Sequence, residues 1–246
     1  MRLSVNVNKV ATVRNSRGGT VPSVVEAAKA CVAAGAQGIT VHPRHDQRHI
    51  TKQDVHDLAR EFARQWGPSL EFNIEGDPRP DWVELVCGVK PAQATLVPVT
   101  PGEVTSHAGW EPERHRDVLE PAIARIHAEG IRVSLFVDAV PEAIHWAKTM
   151  HADRVELYTE PYARAHERGP SDAKESFATY VRSAELAHSL GLGVNAGHDL
   201  DLENLVLFRK LPHLDEVSIG HAIVSRAIFV GLETVVREYA RLVSDA

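Results

Sequence analysis

Cysteine is nearly missing: Cys31 and Cys87 are the only two in 246 residues. They make neither a disulfide framework nor a metal-ligand spacing, and two buried thiols in a reducing compartment account for them. Long apolar runs are missing too. No stretch of 18 apolar residues occurs, and the opening MRLSVNVNKV has no apolar signal region, so no transmembrane helix and a cytoplasmic location are expected. There is no surplus of positive charge: 27 Lys+Arg stand against 33 Asp+Glu. That balance argues against nucleic acid or an anionic membrane as partner. Linker-like and low-complexity segments are also lacking, so residues 1–246 are read as a single domain.

What is there is an alternation of short β-rich runs and amphipathic stretches. The strand-like runs are Leu3–Asn8, Gly38–His42, Leu70–Ile74, Ala94–Pro98, Arg132–Val137, Arg154–Tyr158, Gly193–Ala196 and Glu216–Ile219. Helical pattern follows each: Pro22–Ala34, Lys52–Gln65, Asp81–Val86, Glu113–Glu129, Glu142–Thr149, Ser171–Leu190, Leu202–Arg209 and Ala222–Val243. Thr51 is placed to cap the second helix, and Gly35, Gly130 and Gly191 sit just past helix ends. Eight βα units without a composition break predict one closed (β/α)8 TIM barrel, with extra short helices in its loops. The longest loops are expected at Val99–Pro112 and Thr159–Pro170.

The active site of such a barrel lies at the C-terminal strand ends. Polar residues occur on seven of the eight: Asn6 and Asn8, His42, the Glu71–Asn73–Glu75 face, Asp138, Glu156, Asn195 with His198, and His221. Burying so many around one mouth costs too much unless a ligand uses them. Gly197-His198 and Gly220-His221 each follow a strand, where these barrels usually cradle phosphate; two turn glycines with a capping histidine are the plainer alternative. Arg14, Arg17, Arg44 and Arg48 form an early basic patch, from which Arg17 and Arg44 could hold a second anion. A metal site at His42, His198 and a carboxylate, another phosphate-handling barrel enzyme such as a sugar-phosphate isomerase, and a non-catalytic binding barrel remain rivals.

The stretches Asn6–Gly18, Gly38–Arg44, Arg48–Thr51, Val194–His198 and Ile219–Ile223 strongly resemble pyridoxine 5′-phosphate synthases, in order and from first strand to last helix. The resemblance implies condensation of 1-deoxy-D-xylulose 5-phosphate with 3-amino-2-oxopropyl phosphate, by acid/base catalysis without metal or redox cofactor. It also implies a homo-octamer of barrel dimers. Matched by position, His42 and Glu71 stand as proton acceptors, His198 as proton donor and Glu156 as a stabiliser of transition-state charge. Asn6, Arg17, Arg44, His49, Thr105, Gly220 and His221 match substrate or phosphate contacts; Asn8, Lys9 and Asp199 are placed with them, although many members carry Asp-His and glycine at those positions. Glu71 and Glu75 share a strand face about 13 Å apart. Glu75 is nearer the mouth, but the resemblance selects the deeper Glu71 as the base.

Overall fold

The computed structural model describes residues 1–99 and 107–244. Eight parallel strands close a barrel in sequence order: β1 (Arg2–Asn6), β2 (Gly38–Val41), β3 (Glu71–Gly76), β4 (Gln93–Leu96), β5 (Arg132–Val137), β6 (Arg154–Tyr158), β7 (Gly193–Gly197) and β8 (Leu214–Ile219). Closure comes from β1 pairing with both β2 and β8, which leaves no sheet edge. Around it run α1 (Asn8–Asn15), α2 (Val24–Ala33), α3 (Lys52–Glu61), α4 (Pro80–Val89), α5 (Arg116–His127), α6 (Pro141–Thr149), α7 (Glu160–Arg168), α8 (Pro170–Ser189), α9 (Leu205–Phe208), α10 (His221–Val230) and α11 (Leu232–Ser244).

Local chemistry sets several of these starts. Ser23 caps α2 by accepting the Glu26 N–H, and Thr51 with Asp54 forms a reciprocal capping box on α3. Pro80, Pro141 and Pro170 open α4, α6 and α8, where the missing N–H costs nothing. Strand residues alternate between an outer apolar layer and a polar interior. Val5, Ile39, Phe72, Ala94, Val133, Val155 and Val217 are buried beneath the helices. The residues between them face inward.

Three departures from the sequence reading matter. Asn8 does not end a strand; it is the first residue of α1, so the chain turns outward right after Asn6. The region after Thr159 is not a long loop, because Glu160–Arg168 folds as α7 with Pro161 near its start. The last helix is broken at Gly231, whose φ of 86° suits glycine, into α10 and α11.

The barrel's N-terminal end is closed by charge. Glu71 pairs with Arg2 at 2.8 Å and Arg132 at 2.5 Å, while Arg132 donates to Gln93 and Arg154 to Asn195. Above this plug lies a neutral polar layer, in which Ser4 and Thr40 are 2.7 Å apart, Asn73 donates to Thr40, and Thr95 donates to Asn73. The third layer opens at the other end.

Candidate active site

At the C-terminal mouth the strand ends enclose a cavity of about 460 Å³. Its floor carries His42, Glu75 and Glu156, with His198 at the side. Register explains the grouping. Asn73 is level with Thr40, so two residues further on Glu75 comes level with His42, and Oε2 of Glu75 lies 3.7 Å from Nδ1 of His42. Glu71 is level with Gly38, two layers lower, and points into the ionic plug. Of the two carboxylates, Glu75 lines the cavity, whereas Glu71 is outside its lining and ion-paired below it.

Glu75 is held at several points. The Trp82 indole N–H donates to its carbonyl at 2.9 Å, and Asn6 Nδ2 donates to its Oε2 at 3.4 Å. Gly76 makes the first contact possible, since a Cβ there would stand 2.1 Å from the Trp82 nitrogen. Gly197 does the same for Glu156, because its Cβ would fall 2.5 Å from Oε1. Gly197 thus makes room for a carboxylate; the expected phosphate-cradling role is not reflected in the cavity lining.

Burial decides the protonation states. It raises the Glu75 carboxyl to about 8. Glu156 is driven well above the carboxylate range, first by burial and then by repulsion from Glu75. His42 is pushed well below the usual imidazole range by burial, with neighbouring His49, Arg44 and Arg79 adding to it. The His42–Glu75 contact is therefore a neutral imidazole beside a carboxyl that carries its proton at pH 7. Nε2 of His42 is buried and has no hydrogen-bond partner among the described residues. Leaving such an atom unpaired costs about 1–3 kcal/mol, which a ligand can recover.

The mouth is braced by its first two loops. Asn8 is fixed by its own N–H, which donates to Asn6 Oδ1 at 3.0 Å, and its Oδ1 accepts the His42 N–H at 2.9 Å. Arg14 pairs with Asp54 and donates to the His49 carbonyl, and Asn15 donates to that same carbonyl. These contacts tie the His49 loop to α1. Nδ1 of His49 accepts the Ile50 N–H at 2.9 Å, so the neutral ring carries its proton on Nε2. Burial and the nearby Arg44 and Lys9 hold its pKa at about 4.

Most of the expected residues meet here. Asn6, Asn8, Lys9, Arg44, His49, Asp199, Gly220 and His221 all border the cavity. Gly220 lies against β1, where a Cβ would sit 2.8 Å from the Asn6 carbonyl oxygen, and α10 starts immediately after it. Its first-turn N–H groups have no partners within the helix and give that edge positive character. Arg17 is exposed and outside the lining, because α1 ends before it. His45 is also exposed, so the His42-x-x-His45 spacing does not bring two rings together. Thr105 lies outside the described residues. The sequence reading had no means of placing Val97 and Phe136, an apolar wall between Glu75 and Glu156: Val97 bonds to Gly76 and Phe136 is level with Glu156. Their signal was only strand periodicity.

Fold and site together define a (β/α)8 barrel with an acid/base cavity and cationic margins at its catalytic-type mouth. Residues 3–245 match the family described as pyridoxal phosphate biosynthesis protein PdxJ, and the chain belongs to that family. It is 50% identical to a pyridoxine 5′-phosphate synthase of Porphyromonas gingivalis and 51% to one of Bacteroides thetaiotaomicron, each over 97% of both chains. A third, from Leptospira biflexa, is 48% identical over 99% of this chain and 97% of its own. Among solved structures, 3-hexulose-6-phosphate synthase superposes with a TM-score of 0.64 at 10% identity, covering 99% of this chain and 100% of that one. Phosphoribosyl anthranilate isomerase of Thermus thermophilus superposes at 0.60 and 14%, covering 100% and 99%. At these identities the likeness is one of fold.

Proposed function

We propose that this chain is a pyridoxine 5′-phosphate synthase. It condenses 1-deoxy-D-xylulose 5-phosphate with 3-amino-2-oxopropyl phosphate to pyridoxine 5′-phosphate, phosphate and water. The observation that carries this reading is the gathering of Glu75, Glu156, His42 and His198 around one cavity with cationic margins. Amine addition to a ketone, dehydration and aldol-like ring closure are successive proton transfers, and they require groups of different basicity in one pocket.

Glu75 is the proton acceptor in this reading, in place of Glu71. A carboxyl that titrates near 8 holds its proton in the empty site and gives it up when a cationic amine arrives, so it can both give and take. His42 shares that work through its unpaired Nε2. His198 donates to the leaving oxygen, and Glu156, ionised like Glu75 when a cationic group arrives, offsets positive charge developing in the ring. The N-terminus of α10 with Gly220 and His221 suits one phosphate, while Lys9, Arg44 and Arg48 suit the other. Phe136, packed against Tyr158 at 5.4 Å, offers a flat apolar wall for the pyridine ring. No metal or redox cofactor has a step in this scheme. Oligomerisation belongs to the same proposal: α10 leaves Ile228 and Phe229 73% and 86% exposed, as a face covered by another copy would.

The test is incubation with both phosphorylated substrates and direct detection of pyridoxine 5′-phosphate. Formation of the product at enzyme-like turnover supports the reading; no product with either order of addition overturns it.

A further inference from the structure

His198 and Asp199 occupy consecutive left-handed conformations, with φ of 85° and 56°. Residues with a Cβ adopt that region at a cost. The turn is held from outside: the single Thr159 hydroxyl proton is shared between the carbonyls of Gly197 and His198, and Asn204 Nδ2 donates to that of Asp199 at 3.0 Å. Neighbouring side chains on an extended strand point to opposite faces. Here the turn brings both to one side, with Oδ2 of Asp199 2.8 Å from Nδ1 of His198, and both residues border the cavity. Glycine would form this backbone with less strain, so backbone shape alone does not call for an aspartate.

We propose that Asp199 is a positioning residue for His198: by accepting its Nδ1–H, it fixes the ring and leaves Nε2 as the nitrogen that takes up a proton and, as imidazolium, delivers it to the substrate. The hydrogen bond to His198 is the main cause that holds the Asp199 carboxyl below the usual carboxylate range, with His221 and Arg164 acting the same way and burial opposing them. An ionised carboxylate only accepts, so the shared proton belongs to Nδ1. The Tyr158 ring lies edge-on to His198 at 5.2 Å, and burial and Glu160 push its hydroxyl up to about 12, so it stays neutral. The Glu156 carboxyl, behind Gly197, is held well above the carboxylate range by burial. The dyad orients the proposed proton donor in the way that second partners orient metal-bound or catalytic imidazoles elsewhere.

The role of His198 in turnover rests on the proposed function, whereas the dyad itself does not, and the experiment separates the two. The full chain would be compared with Asp199→Gly, Asp199→Asn, His198→Asn and the double variant Asp199→Gly/His198→Asn. Thermal unfolding of Asp199→Gly should be at or above that of the parent, because the left-handed strain is relieved. Its kcat should fall about 10- to 100-fold with KM within about twofold, and Asp199→Asn should recover part of the loss. In the His198→Asn background the same change should cost nothing more. Magic-angle-spinning spectra of 15N-histidine-labelled protein, with His198 assigned by difference from His198→Asn, should show its Nδ1–H tautomer in the parent and a mixture in Asp199→Gly.

Unchanged kcat in Asp199→Gly, a fall in stability that matches the fall in activity, or an additive loss in the double variant would overturn the inference. If the parent makes no pyridoxine 5′-phosphate, the proposed function falls and the histidine spectra alone decide the dyad. An unaltered tautomer in Asp199→Gly then refutes it.

Discussion

Exchanging Glu75 and Glu71 for glutamine, one at a time, separates chemistry from architecture within a single strand. Glu75 is buried, and its carboxyl is raised from an ordinary 4.5 to about 8. Between those values the folded protein holds a proton that the unfolded chain releases. Its contribution to stability is therefore complete below about pH 4.5 and is lost as the pH rises through 8. At pH 7 this costs the fold about 3 kcal/mol, which a neutral glutamine of the same shape removes. Glu75→Gln should thus melt higher by about 4–10 °C while kcat falls about 10²- to 10⁴-fold, equivalent to roughly 3–5 kcal/mol of barrel-held transition-state stabilisation. Glu71→Gln should do the opposite. It removes the ion-pair partner of Arg132 and leaves Arg2 with Glu216 at 3.9 Å; the two side chains are 29% and 36% exposed, so the loss is reduced by solvent to about 1–3 kcal/mol. That corresponds to a melting temperature lower by about 2–10 °C with turnover largely kept. Calorimetry and single-turnover assays on the two variants decide it. If Glu71→Gln abolished turnover without loss of stability while Glu75→Gln stayed active, the assignment of the plug and the site would be reversed.

Three further outcomes follow from the same geometry. His42→Asn and His198→Asn should each lower kcat by about 10²-fold or more with melting temperatures near the parent's, and a variant that lost fold and activity together would mark a core histidine instead. Turnover should survive exhaustive EDTA treatment, since the scheme asks no step of a metal; a loss restored by zinc or manganese would contradict it. Gly220→Ala puts a Cβ 2.8 Å from the Asn6 carbonyl oxygen, so it should raise KM for a phosphorylated substrate and weaken inorganic phosphate binding in calorimetric titration. Unchanged affinity would move the anion site elsewhere.

The barrel was legible in the sequence because each of its elements carries its own period. Runs such as Arg132–Val137 and Arg154–Tyr158 read as strands and fold as such, and the eight-fold alternation leaves few other topologies. The helices that were missed have weaker signatures. Asn8–Asn15 follows a strand with a single intervening residue, and its chain of Asn6, Asn8 and His42 hydrogen bonds is a tertiary contact no local pattern announces. Arg17 looked suitable as an anion ligand by type, but α1 directs the loop that carries it outward.

The height of Glu71 in the barrel was not legible. Period-two alternation says that Glu71, Asn73 and Glu75 face inward, and all three are buried. It cannot say at what height each stands, because height depends on the stagger between neighbouring strands. That stagger is set by closure: with Gly38 level with Glu71 and Thr40 level with Asn73, each step of two residues climbs one layer. Glu71 lands where Arg2 and Arg132 arrive from β1 and β5, and an ion-paired carboxylate there seals the barrel's end. Glu75 lands beside His42 in the buried mouth, where burial raises its pKa. The same residue type, four positions apart on the same face, becomes a structural anion in one layer and a proton carrier in the other. The difference lies in which partners the closed sheet delivers to each height.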